Sequence, residues 1–470
     1  MLLFTCVGYA QVGIGTTDPD PSALLELDSD GQGILVPRMS TLDRIDITSP
    51  AEGLMVYDLD ERSFYYYSSG SWLPISGSEK RINHKLIKSL ADLSDELIAG
   101  GGSQYLLDSS YLYEINGSLN VDFPIVLNGA YLKGEDNIDD QLVNNTGGPL
   151  FVGSSGGNLR RLTIVGNSSP IFNITGSGSE SLVSLSVNYT NASSIGSLNN
   201  MSSVHFNTGQ FINNSAGITA TDISSYLMTN FSWASTNSGI FLSLNGTFDD
   251  IQLSNACVIV DSGETGIDVS SNPTITGNAS IVNVNFDGAG QNVNRYLTGS
   301  YTNYNFNNNW HIESQGIPRE TDDSASGNFY YTGDLVTGFT QSISNGTAVE
   351  VQGGGTFNAD NLLRFSASGG NNRLTYTGGT TREFNINVSM SVRVTNAAGN
   401  YYAFAIARNG TLITESNSIV YIDNNNQIQS ISMNANIRLG TNDYVEVYVQ
   451  RLTGSGSDTL AVFSENLSIH

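Results

Sequence analysis

"NLRRLTIVGN" (158–167), "SLVSLSVNYT" (181–190) and "MSSVHFNTG" (201–209) decide the fold. Each sets apolar residues at i and i+2 and then closes on Asn, Gly or Thr. "TFDDIQLSNA" (247–256) and "ASIVNVNFDG" (279–288) repeat the pattern. Leu162, Leu185 and Val204 are 23 and 19 residues apart, which predicts that they stack on successive coils. A second set of runs falls between them: "SPIFNIT" (169–175), "SGIFLSL" (238–244) and "TGIDVSS" (265–271). Irregular repeats of roughly 20 residues mark a solenoid. With β-branched runs this short, the expected form is a right-handed parallel β-helix over 104–312. Inward Leu, Ile, Val and Phe would form its core. Asn and Gly would take the corners, where left-handed backbone costs them little.

Composition agrees with an all-β chain. The protein has 470 residues, only 13% of them charged, and a net charge of −25. That balance excludes a nucleic-acid partner, because phosphate binding needs clustered Lys and Arg. Two cysteines, Cys6 and Cys257, give no disulfide framework. The four histidines are scattered and none sits in a recognisable motif, so neither a His-based metal site nor Ser/His/Asp catalysis has support. "MLLFTCVGYA" (1–10) reads as a short apolar, signal-like segment without a leading positive charge, or as an apolar arm retained in an assembly.

After residue 10, "QVGIGTTDPDPSALLEL" (11–27) has Gly13 and Gly15 but lacks the third glycine of a dinucleotide fingerprint. It reads as turn chemistry. "GLMVYDLDERSFYYYSSGSWLPI" (53–75) reads as a β-hairpin. The elements VGIGT (12–16), Pro19, SALL (22–25), PRM (37–39), GLMVY (53–57) and YYSSGSWLPI (66–75) together resemble an N-terminal module of Bacteroidota surface proteins and of fibre-like proteins of their phages. The resemblance implies an extracellular or virion setting, with residues 11–78 attaching the protein to something larger.

Residues 79–103 read as a helix or neck. Leu86, Leu90, Leu93 and Leu97 are spaced 4, 3 and 4, a two-heptad seam. It suits either a short trimeric coiled coil or a capping helix over the next domain. "ESQGIPRETDDSASG" (313–327) has no apolar periodicity and reads as a linker.

Residues 328–470 predict an antiparallel sandwich. Phe384, Ile386, Val388, Met390, Val392 and Val394 alternate along "REFNINVSMSVRV", and Asn409-Gly410 marks a type I′ hairpin. Val445, Val447 and Val449 alternate again. The strand order resembles the C1q/tumour-necrosis-factor jelly roll, which implies a trimeric head. The whole arrangement resembles a tail-fibre or tailspike-like protein of Bacteroidota phages, or related bacterial surface proteins.

Candidate chemistry is sparse. A β-helix could carry paired carboxylates for glycoside cleavage, which needs two of them roughly 5–10 Å apart. Asp261 and Asp287 are the weak candidates, among Asp249, Asp250, Glu264 and Asp268. Glu135, Asp136, Asp139 and Asp140 cluster in "KGEDNIDDQ" and could bind Ca²⁺, although their spacing is not that of an EF-hand. Among 22 tyrosines, Tyr401 and Tyr402 are candidates for stacking on a sugar. The resulting expectation is a non-enzymatic homotrimeric attachment fibre without a cofactor, on a virion or a bacterial surface. Its head would bind a surface glycan or protein receptor. The alternatives are a secreted adhesin or matrix protein and a polysaccharide depolymerase.

Overall fold

The structure is a computed structural model and describes residues 11–75, 83–352, 357–368, 372–396 and 399–470. The signal-like segment 1–10, with Cys6, and residues 79–82 of the expected helix lie outside that range. The chain divides into two units, 1–82 and 83–470.

In the first unit, Val12–Ile14 pairs parallel with Leu25–Leu27. Gly15 turns the chain there at φ +89, and a Cβ on it would sit 1.9 Å from the Asp28 carbonyl oxygen. The glycine loop therefore closes on its own neighbouring strand. Met55–Asp58, Ser63–Ser68 and Ser71–Pro74 form an antiparallel meander, and Arg38–Met39 adds a parallel edge. A five-residue helix, Thr41–Ile45, begins with a capping box between Ser40 and Asp43.

The second unit opens with a β-solenoid of about nine turns. Its strands pair parallel throughout. The first strand is His84–Ile87, paired with Leu112–Ile115, so the solenoid begins twenty residues before the expected start. Leu86 thus lies on a strand rather than in a helical seam. The helical stretch is confined to Leu90–Leu93 and Ser94–Ala99. Leu90, Leu93 and Leu97 pack onto the solenoid core, which makes this a cap and not a coiled-coil neck. Glu96 is buried beneath it, held by Lys85 Nζ at 2.7 Å and the Tyr113 hydroxyl at 2.9 Å.

The corners explain the solenoid. Arg161, Ser186, Thr208, Asn230, Asn255 and Asn283 all have φ between 49 and 56. The pairing register places them one above another on six successive coils. Each left-handed residue bends its strand, and the alternation of inward and outward side chains changes phase there. The register also corrects the expected stack. Leu162 pairs with Val187, Val204 pairs with Leu182, and Leu185 stands opposite Asn207 and only half buried. Inside, Phe172, Tyr189, Phe211, Trp233 and Phe241 form a column of rings with centroids 5.1–6.1 Å apart. Asn214 and Asn237 are buried beside it. Asn237 Oδ1 accepts from both the backbone and the side-chain nitrogens of Asn214, at 2.9 Å each. Such internal amides satisfy corner backbone that would otherwise be buried unpaired.

The expected linker is instead a joint. Trp310–Gln315 is the last solenoid strand, and Ile312 and Glu320 exchange both backbone hydrogen bonds at 3.1 Å. Glu320 and Thr321 are almost wholly buried. The Glu320 carboxylate accepts from the amides of Asn305 and Phe306 at 2.7 and 2.9 Å. Arg364, from the following domain, pairs with Asp322 and donates to the Trp310 carbonyl at 2.7 Å. Periodicity gave no sign of this because these contacts are polar and run between residues 8 to 54 apart.

Residues 326–470 form an antiparallel two-sheet sandwich. Ser326–Thr332, Arg382–Thr395, Ile428–Leu439 and Ser457–Ile469 lie in one sheet. Arg373–Tyr376, Asn400–Arg408, Ser418–Ile422 and Tyr444–Arg451 lie in the other. The alternating residues Phe384 to Val394 face the core as expected. Asn409 (φ 51) and Gly410 (φ 74) make the two-residue hairpin turn between Arg408 and Thr411.

Candidate functional site

The first unit presents the most unusual surface. Among its described residues Val56 is the one buried hydrophobic side chain. Fifteen large apolar side chains are exposed, among them Ile14, Leu24, Leu35, Leu42, Ile45 and Phe64. An exposed Leu is unremarkable alone, but a unit with almost no core cannot offset its conformational entropy by itself. What order it has comes from a polar pin. Arg44, on the short helix, donates to Asp58 at 2.8 Å and stacks 3.8 Å from the centroid of Tyr65. Burial pushes the Asp58 carboxyl up. The amide of Glu61, the Arg44 guanidinium, the Thr41 hydroxyl and the amide of Asp60 outweigh it and hold it at about 2. Asp58 is thus a charged anchor with every neighbour donating. The unit's geometry suits assembly with further copies, whose apolar faces would supply the missing core.

The solenoid carries a shallow polar groove of about 700 Å³ across its last coils, lined by Phe231, Asn255, Asn283, Glu313, Gln315 and Arg319. Asn283 donates to Asn255 at 2.8 Å along the corner ladder. Glu313 lies 3.4 Å from Arg319 and 3.8 Å from His311. Sequence reasoning missed this groove because Glu313 and Arg319 lay in the presumed linker.

The expected carboxylate pair takes other roles. Asp261 and Asp287 do fall on adjacent coils, since Asp287 pairs with Ile259. Both are exposed and lie outside that groove. Asp287 accepts from the Gly288 amide at 2.7 Å, and the Asp261 amide donates to Glu264 at 2.7 Å. Asp249, Asp250 and Asp268 likewise accept hydrogen bonds at turns.

The acidic loop is also occupied. Asp140 is buried and accepts from the amides of Gly117, Glu135 and Asp136, at 2.7–3.0 Å. Its burial raises the carboxyl, and those amides lower it below its ordinary range. Glu135 pairs with Lys133, and Asp136 caps the Ile138 amide at 2.7 Å. Asp139 makes no side-chain hydrogen bond or ion pair among the described residues. Among the described residues no group of three His, Cys, Asp or Glu is placed to hold a metal ion.

The two head tyrosines separate. Tyr402 is fully buried and its hydroxyl donates to Asp458, so it is a core residue and not a ligand-binding one. The strand's alternation sends its neighbour Tyr401 outward, where it packs against Tyr421 at 4.9 Å.

A family model described as a phage tail-like trimerisation region matches residues 13–88. A search of the curated proteins found no match. Among solved structures, the enzymatically active domain of tailspike protein 4 of bacteriophage CBA120 is 8% identical, over 91% of this chain and 77% of that one, with a TM-score of 0.22. The phiAB6 tailspike, solved with three-repeated oligosaccharides of Acinetobacter baumannii surface polysaccharide, is 10% identical over 87% and 96%, with a TM-score of 0.18. Eiger TNF from S. frugiperda is 10% identical over 31% of this chain and 92% of that one, with a TM-score of 0.20. Scores this low leave the fold to rest on the chain's own strand pairings. A phage tail-like trimerisation region followed by a β-solenoid fits a tail-fibre- or tailspike-like protein, and that region supports a homotrimer. Among the described residues no helix is long and apolar enough to cross a membrane.

Proposed function

We propose that this protein is a non-enzymatic trimeric attachment fibre of a phage-tail-like particle. The N-terminal unit trimerises and anchors the chain, the solenoid is a rigid shaft, and the sandwich is the head that binds a cell-surface receptor. The observation that carries this reading is the first unit's coreless apolar surface, within the span that matches a trimerisation region. Three linked heads would turn weak single contacts into firm adhesion by effective concentration. The test is retention of the full-length protein on a panel of Bacteroidota cells. Trimer-dependent binding without loss of surface polysaccharide is expected. Failure to bind any strain would refute the attachment role.

The polar groove with Glu313 favours a second reading, polysaccharide cleavage along the solenoid. New reducing ends released from host polysaccharide, and abolished by Glu313→Gln, would establish it. The same release abolished by Asp261→Ala or Asp287→Ala would place the chemistry at the corner instead.

A further inference from the structure

The outer face of one sandwich sheet is a grid of uncharged polar side chains. Asn434, Asn387, Ser468 and Asn328 stand directly opposite one another across four strands. In the next row stand Ser432, Ser389, Asn466 and Tyr330. Rows on either side continue with the pairs Asn385–Asn436 and Ser391–Ser430. None of these residues is charged, in a chain of net charge −25. Charge returns at the border, with the pair Glu383–Arg438, with Arg393 beyond Ser391 and with Asp360 beyond Asn328. Solvated sheet faces ordinarily intersperse charges of both signs. Asn is also a poor strand residue, so local strand preference does not account for it here.

The grid has unused hydrogen-bonding capacity. Some amides bond along it, as Asn387 does to Asn385 at 2.7 Å and Asn466 to Asn328 at 2.8 Å. The hydroxyls of Ser389 and Ser432 and the amide of Asn434 have no hydrogen-bond partner among the described residues. Asn and Ser each both donate and accept. Across strands such groups repeat at about 4.8 Å, and along a strand at about 6.7 Å. Tyr330, half-buried at one side of the grid, adds a flat ring for stacking.

We propose that this face of the head binds a neutral polysaccharide chain of the target surface. The proposal rests on the attachment reading and names the ligand class for it. Dense, uncharged donors and acceptors match the hydroxyls of a neutral sugar chain, and the four central rows hold no Lys or Arg to compensate an acidic one. Four strands by four rows cover only about 14 by 20 Å. That is well short of the roughly 800 Å² per partner of a stable protein interface, and it lacks such an interface's apolar centre. The opposite outer face of the sandwich, with exposed Tyr401, Ile419 and Tyr421, has the apolar character a protein contact would need.

The test uses the full-length protein on immobilised dextran, mannan and laminarin, with alginate as the acidic comparison, and on the cell panel. Wild type should bind at least one neutral polymer and alginate at least tenfold less. The double variant Asn387→Ala/Asn434→Ala should lose tenfold or more with its melting unchanged, while Tyr421→Ala on the opposite face should bind normally. Equal or better binding to alginate, or full binding by the double variant, overturns the proposal. Cell attachment that survives the double variant overturns it while leaving the attachment role intact. No binding to any polymer or cell removes both. A shift of the double variant from trimer to monomer would show that a second copy occupies the face, and would also overturn it.

Discussion

The N-terminal unit and the solenoid solve the problem of burying apolar surface in opposite ways. The solenoid stacks coil on coil, so each coil's neighbours complete its core, and Trp233, Phe241 and Tyr226 reach complete burial within one chain. Among its described residues the N-terminal unit has no comparable core. Its order rests on Arg44, Asp58 and the ring of Tyr65, and its leucines and isoleucines face outward. One region completes its core within the chain, and on the proposed reading the other is completed by partner copies. The trimerisation match covers the coreless unit and runs only into the first solenoid strand.

The contrast can be broken from either side. Arg44→Ala should have the largest effect, because it leaves the buried Asp58 carboxylate without its cation. Loss of the trimer is expected by mass photometry, with the solenoid's circular dichroism unchanged. Trp233→Ala should do the reverse. A cavity in the ring column should cost about 3–5 kcal/mol in denaturant unfolding while the trimer persists.

A third effect lies in the sandwich. Glu465 is buried in its core, and burial first, then the charge of Glu350, push its carboxyl up to about 8. The folded protein therefore holds this proton more tightly than the unfolded chain. The stability that the Glu465 proton contributes is full below pH 4.5 and is lost as pH climbs through about 8. Glu465→Gln should flatten that slope and raise stability at pH 9 by an amount on the order of a few kcal/mol, read from denaturation midpoints across pH 4–9. The smallest effect is expected from Tyr421→Ala, which removes an exposed ring pair worth about 0.5–1.5 kcal/mol.

Legibility followed the range of the forces involved. The strand from Phe384 to Val394 was readable because alternation alone sets which side faces the core. The Asn409-Gly410 hairpin was readable because both residues carry left-handed backbone cheaply. The solenoid was readable as a class but not in register. A residue such as Ser186 or Thr208 in left-handed conformation reverses the alternation without any apolar signal. The leucine seam misled because strand His84–Ile87 and the helix after it happen to place leucines at heptad spacing. The joint at Glu320 and Arg364 left no periodic trace, since its contacts are polar and its partners are 8 to 54 residues away. Of the candidate sites, Tyr402 failed by one step of alternation, while Asp261 and Asp287 were placed on neighbouring coils correctly but serve turns.

The central claim is that the coreless N-terminal unit is completed by two more copies. Sedimentation equilibrium of the full-length protein at micromolar concentration tests it most directly. The account predicts three times the chain mass of 50.2 kDa, reverting toward one chain in Arg44→Ala. A stable monomer of 50.2 kDa with the N-terminal unit folded would contradict it.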